Sequence, residues 1–301
     1  MLPTTEEVHM SRSKESVSPA GVIAPALARG VISARTATIE QLIALQGGDA
    51  AAGAQLTHII LADLPLSARL LRALNSHHCN PRSERVATIS RAVSVLGFHA
   101  VRRPALAIAL LEDCARGAHR ARALACFARS IHAAAQARGL AASRDDIDPE
   151  EVFVVALLRD AGELQFWCSG NSLAASIDRA LAEPGVDPRA AEERIFGGSL
   201  AARAAALNPY AHTLPLLRAA LAEGTSSDPR VRCIQLSHAL ARCAEDGWPG
   251  ERMQALSARL MAEMAVPAGE VSTVLRANAH DAACLAAACE AVDVGRLIRR
   301  P

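Results

Sequence analysis

The chain of 301 residues is 51% hydrophobic and carries 32 Lys and Arg against 31 Asp and Glu, a formal net charge of +1. That balance removes the summed positive field with which a dedicated nucleic-acid binder displaces counterions from phosphates, so a nucleic-acid partner is disfavoured. Apolar runs such as VFVVALL and ALAIALL fall far short of the roughly 20 residues that cross a bilayer, and the TTEEVHM start lacks a secretory apolar segment; a cytoplasmic protein with no membrane partner is expected.

Residues 1–20 are polar and without apolar periodicity, which predicts a mobile leader. From Gly21 onward Ala, Leu and Arg dominate, apolar residues recur every three or four positions, and alternating β-branched stretches are missing. The expected fold class is therefore all-α. In chain order the helical segments are 39–47, 52–62, 65–76, 87–97, 102–114, 119–139, a single long helix 149–167, and 198–207. End signals support them: Pro65 and Asp148-Pro149 open helices, and Gly97 and Gly139 close them. Leu66, Leu70, Leu71 and Leu74 repeat at helical spacing and are expected on one buried face. The charged stretch 138–151 reads as a loop, and the tail from Gly250, broken at Pro267, as amphipathic helix packed on the body.

The eight cysteines form no C-x-x-C pair and read mostly as small buried apolar residues. The run His77-His78-Cys79 is chemically metal-like, but neighbours on a helix point about 100° apart and no second ligand cluster has metal spacing. Neither GGDAAAG nor FGGS has phosphate-loop spacing, Lys14 is the one lysine, and a G-x-S-x-G elbow is lacking. His132, His212 and His238 lack a local Ser or Cys partner pattern. Asn75-Ser76 reads as a helix-end cap, and Phe166-Trp167 as core or interface.

Two stretches, IILADLPLSARLLRALNS and ISRAVSVLGFHAVRRPALAIALL, place Asp63, Leu66, Leu71, Asn75, Ser76, Leu96 and Gly97 in one register. Together they resemble the first lobe of the HDOD family, the HD-related output domains of bacterial signalling proteins, with the proline displaced by one place to Pro65. The segments FARSIHAAAQARGLA, ALLRDAGEL, FGGSLAARAAALNPY and IQLSHALARCAEDGW are similar to the successive helices of the family's HD-like half. The resemblance covers about residues 36–250. It implies one HDOD domain over 21–250, with a first helical lobe to about 115, an HD-like lobe over about 116–250, and a helical extension over 251–301.

An HD phosphohydrolase needs His, His-Asp and a distant Asp, because imidazole and carboxylate hold the metal and acidify its water. By the resemblance the first His falls at Arg129, the pair at Arg159 and Asp160, and the last Asp at His238; a further family His falls at Ser199. Of the metal set Asp160 alone remains, and guanidinium has no lone pair to donate. The expectation is a vestigial site with no catalytic residue, no metal and no cofactor, in which Arg159 and Asp160 join a salt-bridge network with Arg129 or Glu163. An alternative makes Arg129 and Arg159 an anion pocket. The resemblance implies a non-enzymatic regulator working through protein partners, in bacterial motility, secretion or virulence control, with partners linked to cyclic-dinucleotide signalling. A nucleotide sensor and a residual metal phosphohydrolase are the alternatives.

Overall fold

The computed structural model describes residues 34–45, 47–114 and 119–298; these are helices and connections, with no strand among them. The expected leader lies outside the described residues, as does the side chain of Cys114. The first helices are α1 (Ala34–Ala44), α2 (Ala50–Ala62), α3 (Leu64–Leu74), α4 (Ile89–Leu96) and α5 (Phe98–Cys114). Short polar side chains start three of them: Asp49, Asp63 and Thr88 accept from the amides of Ala52, Leu66 and Arg91. Leu66, Leu70 and Leu74 are fully buried, but Leu71 is only partly so, because the stripe is narrower than the leucine count suggests. Arg102 ends α1 by donating from Nε to the Leu42 carbonyl (2.8 Å) and from Nη2 to that of Ile43 (3.0 Å).

The central element is α6 (Arg120–Ala141), buried along most of its length. Its alanines let α7 (Pro149–Leu158), α13 (Pro229–Asp246) and α15 (Val271–Ala288) pack closely around it. Gly139 does not close this helix: a Cβ there would come within 2.0 Å of Asn278 Oδ1 on α15, so the glycine admits that neighbour. Between them lie α8 (Ala161–Cys168), α9 (Ser172–Ala182), α10 (Pro188–Phe196), α11 (Leu200–Ala206) and α12 (Pro215–Leu221). Asp148, Asp187 and Asp228 each precede a proline and cap α7, α10 and α13. The chain ends in α14 (Glu251–Met264), α15 and α16 (Val292–Leu297), and Gln136 on α6 donates to the Leu275 carbonyl on α15 at 3.0 Å.

The single helix expected over 149–167 is two, broken at Arg159–Asp160. The cause lies elsewhere in sequence. Asn208 Nδ2 donates to the carbonyls of Leu158 (2.9 Å) and Arg159 (3.1 Å), groups that an unbroken helix would have used itself. Gly162 sits so close to α11 that a Cβ would lie 2.1 Å from the Ala204 carbonyl oxygen. The break turns Asp160 inward, toward α6 and α13.

Candidate functional site

Three elements supply the charged centre: α6 brings Arg129, the α7–α8 break brings Arg159 and Asp160 with Glu163 one turn on, and α13 brings His238, Arg242 and Glu245. Arg129 Nε donates to Asp160 Oδ2 at 2.9 Å, its Nη2 meets Glu163 at 2.7 Å and its Nη1 meets Glu245 at 3.2 Å. The side chains of Arg129 and Asp160 are each 7% exposed, so this pairing takes place away from water. Glu163 is also held by Arg242 at 3.2 Å. Burial alone would lower the Arg129 pKa, but Glu163 and Asp160 hold it well above its ordinary range.

Proton positions follow from what can donate. Arg159 Nη1 lies 2.8 Å from His238 Nδ1, and guanidinium only donates, so that ring nitrogen is an unprotonated acceptor. The ring proton is therefore on Nε2, which donates to Asp160 Oδ1 at 2.7 Å. His238 is neutral: burial pushes its pKa down to about 4, against the pull of Asp160. Burial works to raise Asp160, and the His238 bond and the Arg129 guanidinium outweigh it, leaving the carboxylate well below its usual range.

Arg129, Arg159, Asp160 and His238 thus meet, with Arg159 joined to the network through His238. Among the described residues no carboxylate lies within ion-pair distance of Arg159; its second contact is the Ala220 carbonyl at 3.4 Å. Ser199 caps α11, accepting from the Ala202 amide at 3.1 Å, and shares a cavity of about 200 Å³ with Arg159, Asp160, Glu163 and Glu223. The expected pairing of Asp160 with Arg129 is present, and Arg129 also binds Glu163; the expected pairing of Arg159 with a carboxylate is not. The two-arginine anion pocket loses Arg129, whose Nε, Nη1 and Nη2 already face carboxylates. Arg242 and Glu245 were not apparent as site residues. Their signal is periodic: His238, Arg242 and Glu245 stand at i, i+4 and i+7, one face of a helix.

The residues do not fit a divalent metal. Asp160 and His238 have ligand chemistry, but the aspartate oxygens face Arg129 and His238, and the ring's lone pair faces Arg159. A third ligand is lacking: among the described residues no group of three or more His, Cys, Asp or Glu is placed to hold a metal ion. Other motifs resolve structurally. Asn75 Nδ2 donates to the Leu71 and Val86 carbonyls, both at 2.8 Å, and its Oδ1 accepts from the Val86 amide at 3.0 Å. Phe166 and Trp167 are core, Phe166 packing edge-on against Phe196. The described cysteines are free; Cys126, Cys233, Cys243 and Cys289 are buried, while Cys79, Cys168 and Cys284 are partly exposed. His78 lies 3.5 Å from Asp281.

An all-helical domain with a broken helix turned onto a charged centre defines the class. The HDOD domain profile matches residues 33–209, and the chain belongs to the HDOD family. Three solved structures share the fold. A Marinobacter aquaeolei VT8 protein provisionally described as a signal transduction protein has a TM-score of 0.63 and 16% identity, over 91% of this chain and 66% of that one. A Shewanella amazonensis SB2B protein provisionally described as a phosphohydrolase has a TM-score of 0.58 and 23% identity, over 87% and 93%. An HDOD domain protein of unknown function from Geobacter sulfurreducens has a TM-score of 0.56 and 18% identity, over 80% and 91%. No curated protein matches the chain.

Proposed function

We propose that the protein is a non-catalytic regulatory module that acts through protein contacts. The observation that carries this is Arg129: a permanently charged donor stands among Asp160, Glu163 and Glu245, supplying the positive charge for which a hydrolase would use a metal. The centre has lone pairs already engaged and no group poised to activate water, whereas a buried ion network holds three helices in register. Membership of the HDOD family and the fold shared with a protein provisionally described as a signal transduction protein support a signalling setting. Among the described residues no helix is long and apolar enough to cross a membrane. The cellular reading is a cytoplasmic bacterial regulator of motility, secretion or virulence, with partners linked to cyclic-dinucleotide signalling.

Metal analysis of the purified protein together with a phosphodiesterase assay tests the non-catalytic half; neither stoichiometric metal nor turnover is expected, and finding both overturns it. Affinity capture from the native cell followed by mass spectrometry tests the other half, with a reproducible protein partner as the expected result.

A further inference from the structure

Beyond Glu163, on the side away from Arg159, a second cleft of about 350 Å³ runs along α6. Its α6 wall extends from Arg122 to His132, about 15 Å of helix. Trp167, Leu181 and Leu200 give it an apolar side, and its volume lies within the range of small-molecule sites.

The arginines on its walls are already answered. Arg122 Nε lies 2.9 Å from Asp178, which also receives His119; Arg129 faces three carboxylates; Arg242 lies 3.2 Å from Glu163. In these contacts four carboxylates, Asp160, Asp178, Glu163 and Glu245, share three guanidiniums, and Glu192, also on the cleft wall, has no ion pair with any of them among the described residues. Glu192 accepts the Leu200 amide on Oε2 at 3.1 Å, and among the described residues its Oε1 has no partner. Burial pushes the carboxyls of Glu192 and Glu245 up, against the pull of Arg129 and Arg242.

A second group points the same way. His132, 3% exposed, lines the cleft. Gln136 Nε2 is fixed as a donor by the Leu275 carbonyl, and it sits 3.1 Å from His132 Nε2, which must accept. The ring proton is then on Nδ1, for which the described residues supply no acceptor. The cleft offers an anion in Glu192 and a donor in His132.

We infer that the cleft binds an organic cation on an aliphatic stem whose other end carries a carbonyl or carboxylate oxygen, as an arginine or lysine unit does. The cation meets Glu192, the oxygen accepts from His132, and the stem lies along Leu181 and Leu200. The site stands whether or not the chain works through a protein partner.

Thermal melts and tryptophan fluorescence of the full chain with Nα-acetylarginine amide, free arginine and agmatine test it. Saturable binding is expected, weakest for agmatine, which lacks the oxygen; preference between the first two separates a side chain within a polypeptide from a free amino acid. Glu192→Gln keeps an acceptor for the Leu200 amide, and should weaken binding at least about tenfold. Leu181→Arg, which places an internal cation in the cleft, should abolish it and serves if the first variant fails to fold. No binding of any of the three into the tens of millimolar overturns the inference. So does undiminished binding by Glu192→Gln, or binding of inorganic phosphate in place of the cations.

Discussion

The helices before α6 and those from α6 to α13 both bury polar side chains, but to different ends. In α1–α5 the polar groups complete the backbone: buried Arg102 ends α1, buried Ser67 donates from Oγ to the Ile60 carbonyl at 2.6 Å, and exposed Asn75 ties α3 to Val86. Each such bond closes a local account and can be removed singly. Around α6 the polar groups satisfy one another, Arg129 against Asp160, Glu163 and Glu245, and Asp160 against His238. In a network of that kind a member with several charged partners cannot be removed singly, because its loss leaves others buried and unpaired. The contrast separates a region of local backbone bonds from one built around a shared charged centre.

Arg129→Met should break the comparison most severely. It removes the charge shared by three carboxylates and is expected to cost about 3–5 kcal/mol, read as a drop in urea midpoint. Adding Asp160→Asn and Glu163→Gln should return part of that loss, since the orphaned charges go with it. If Arg129→Met alone costs no more than a surface change, the network is not what holds α6, α8 and α13 together.

Acid should act next. Burial holds His132 at about 4, below its ordinary 6.5, so the fold favours the neutral ring while the unfolded chain takes up a proton. That contribution is full above the ordinary value and is lost as pH falls toward the folded one, about 2 kcal/mol by about pH 5. His238, also lowered, adds in the same direction, while Asp160, held below the ordinary carboxylate range, is lost only at lower pH. Urea unfolding at neutral and acidic pH checks this, and His132→Gln should flatten the dependence; an unchanged midpoint across the window would mean that the rings are charged or solvated.

Asn75→Ala belongs to the other region and should cost less, about 1–3 kcal/mol, because it frees the Val86 amide and two carbonyls near the surface. The denaturant slope should stay constant. A loss as large as that of Arg129→Met would erase the distinction between local and networked polar groups.

What sequence could and could not show follows the same division. The openings at Pro65 and Asp148-Pro149 and the Leu66, Leu70, Leu74 stripe are local patterns, written in neighbouring residues and legible there. Leu71 was misplaced because a stripe's width is set by what packs on it. The break at Arg159 was invisible for the same reason: it is imposed by Asn208 and Ala204, which are distant in sequence. Asp160 was found by resemblance, whereas the pairing of Arg129 with Glu245 spans 116 positions and only the fold brings it about.

The smallest expected effect, Arg159→Ala, sharpens the comparison within the network itself. Arg159 is half-buried, touches a neutral ring rather than a carboxylate, and opens onto the cavity it shares with Ser199. Its loss leaves Asp160 still held by Arg129, and water entering the cavity can replace its bond to His238. The cost should be under about 1 kcal/mol, against several for Arg129. The same variant decides the sensor alternative. Asp160, Glu163 and Glu223 line that cavity along with the one arginine, a setting that repels anions, so cyclic dinucleotides and guanosine polyphosphates should leave the melting temperature of both proteins unchanged. If a nucleotide raises the melting temperature of the wild type and not that of Arg159→Ala, Arg159 is an anion ligand and the cavity is the sensor.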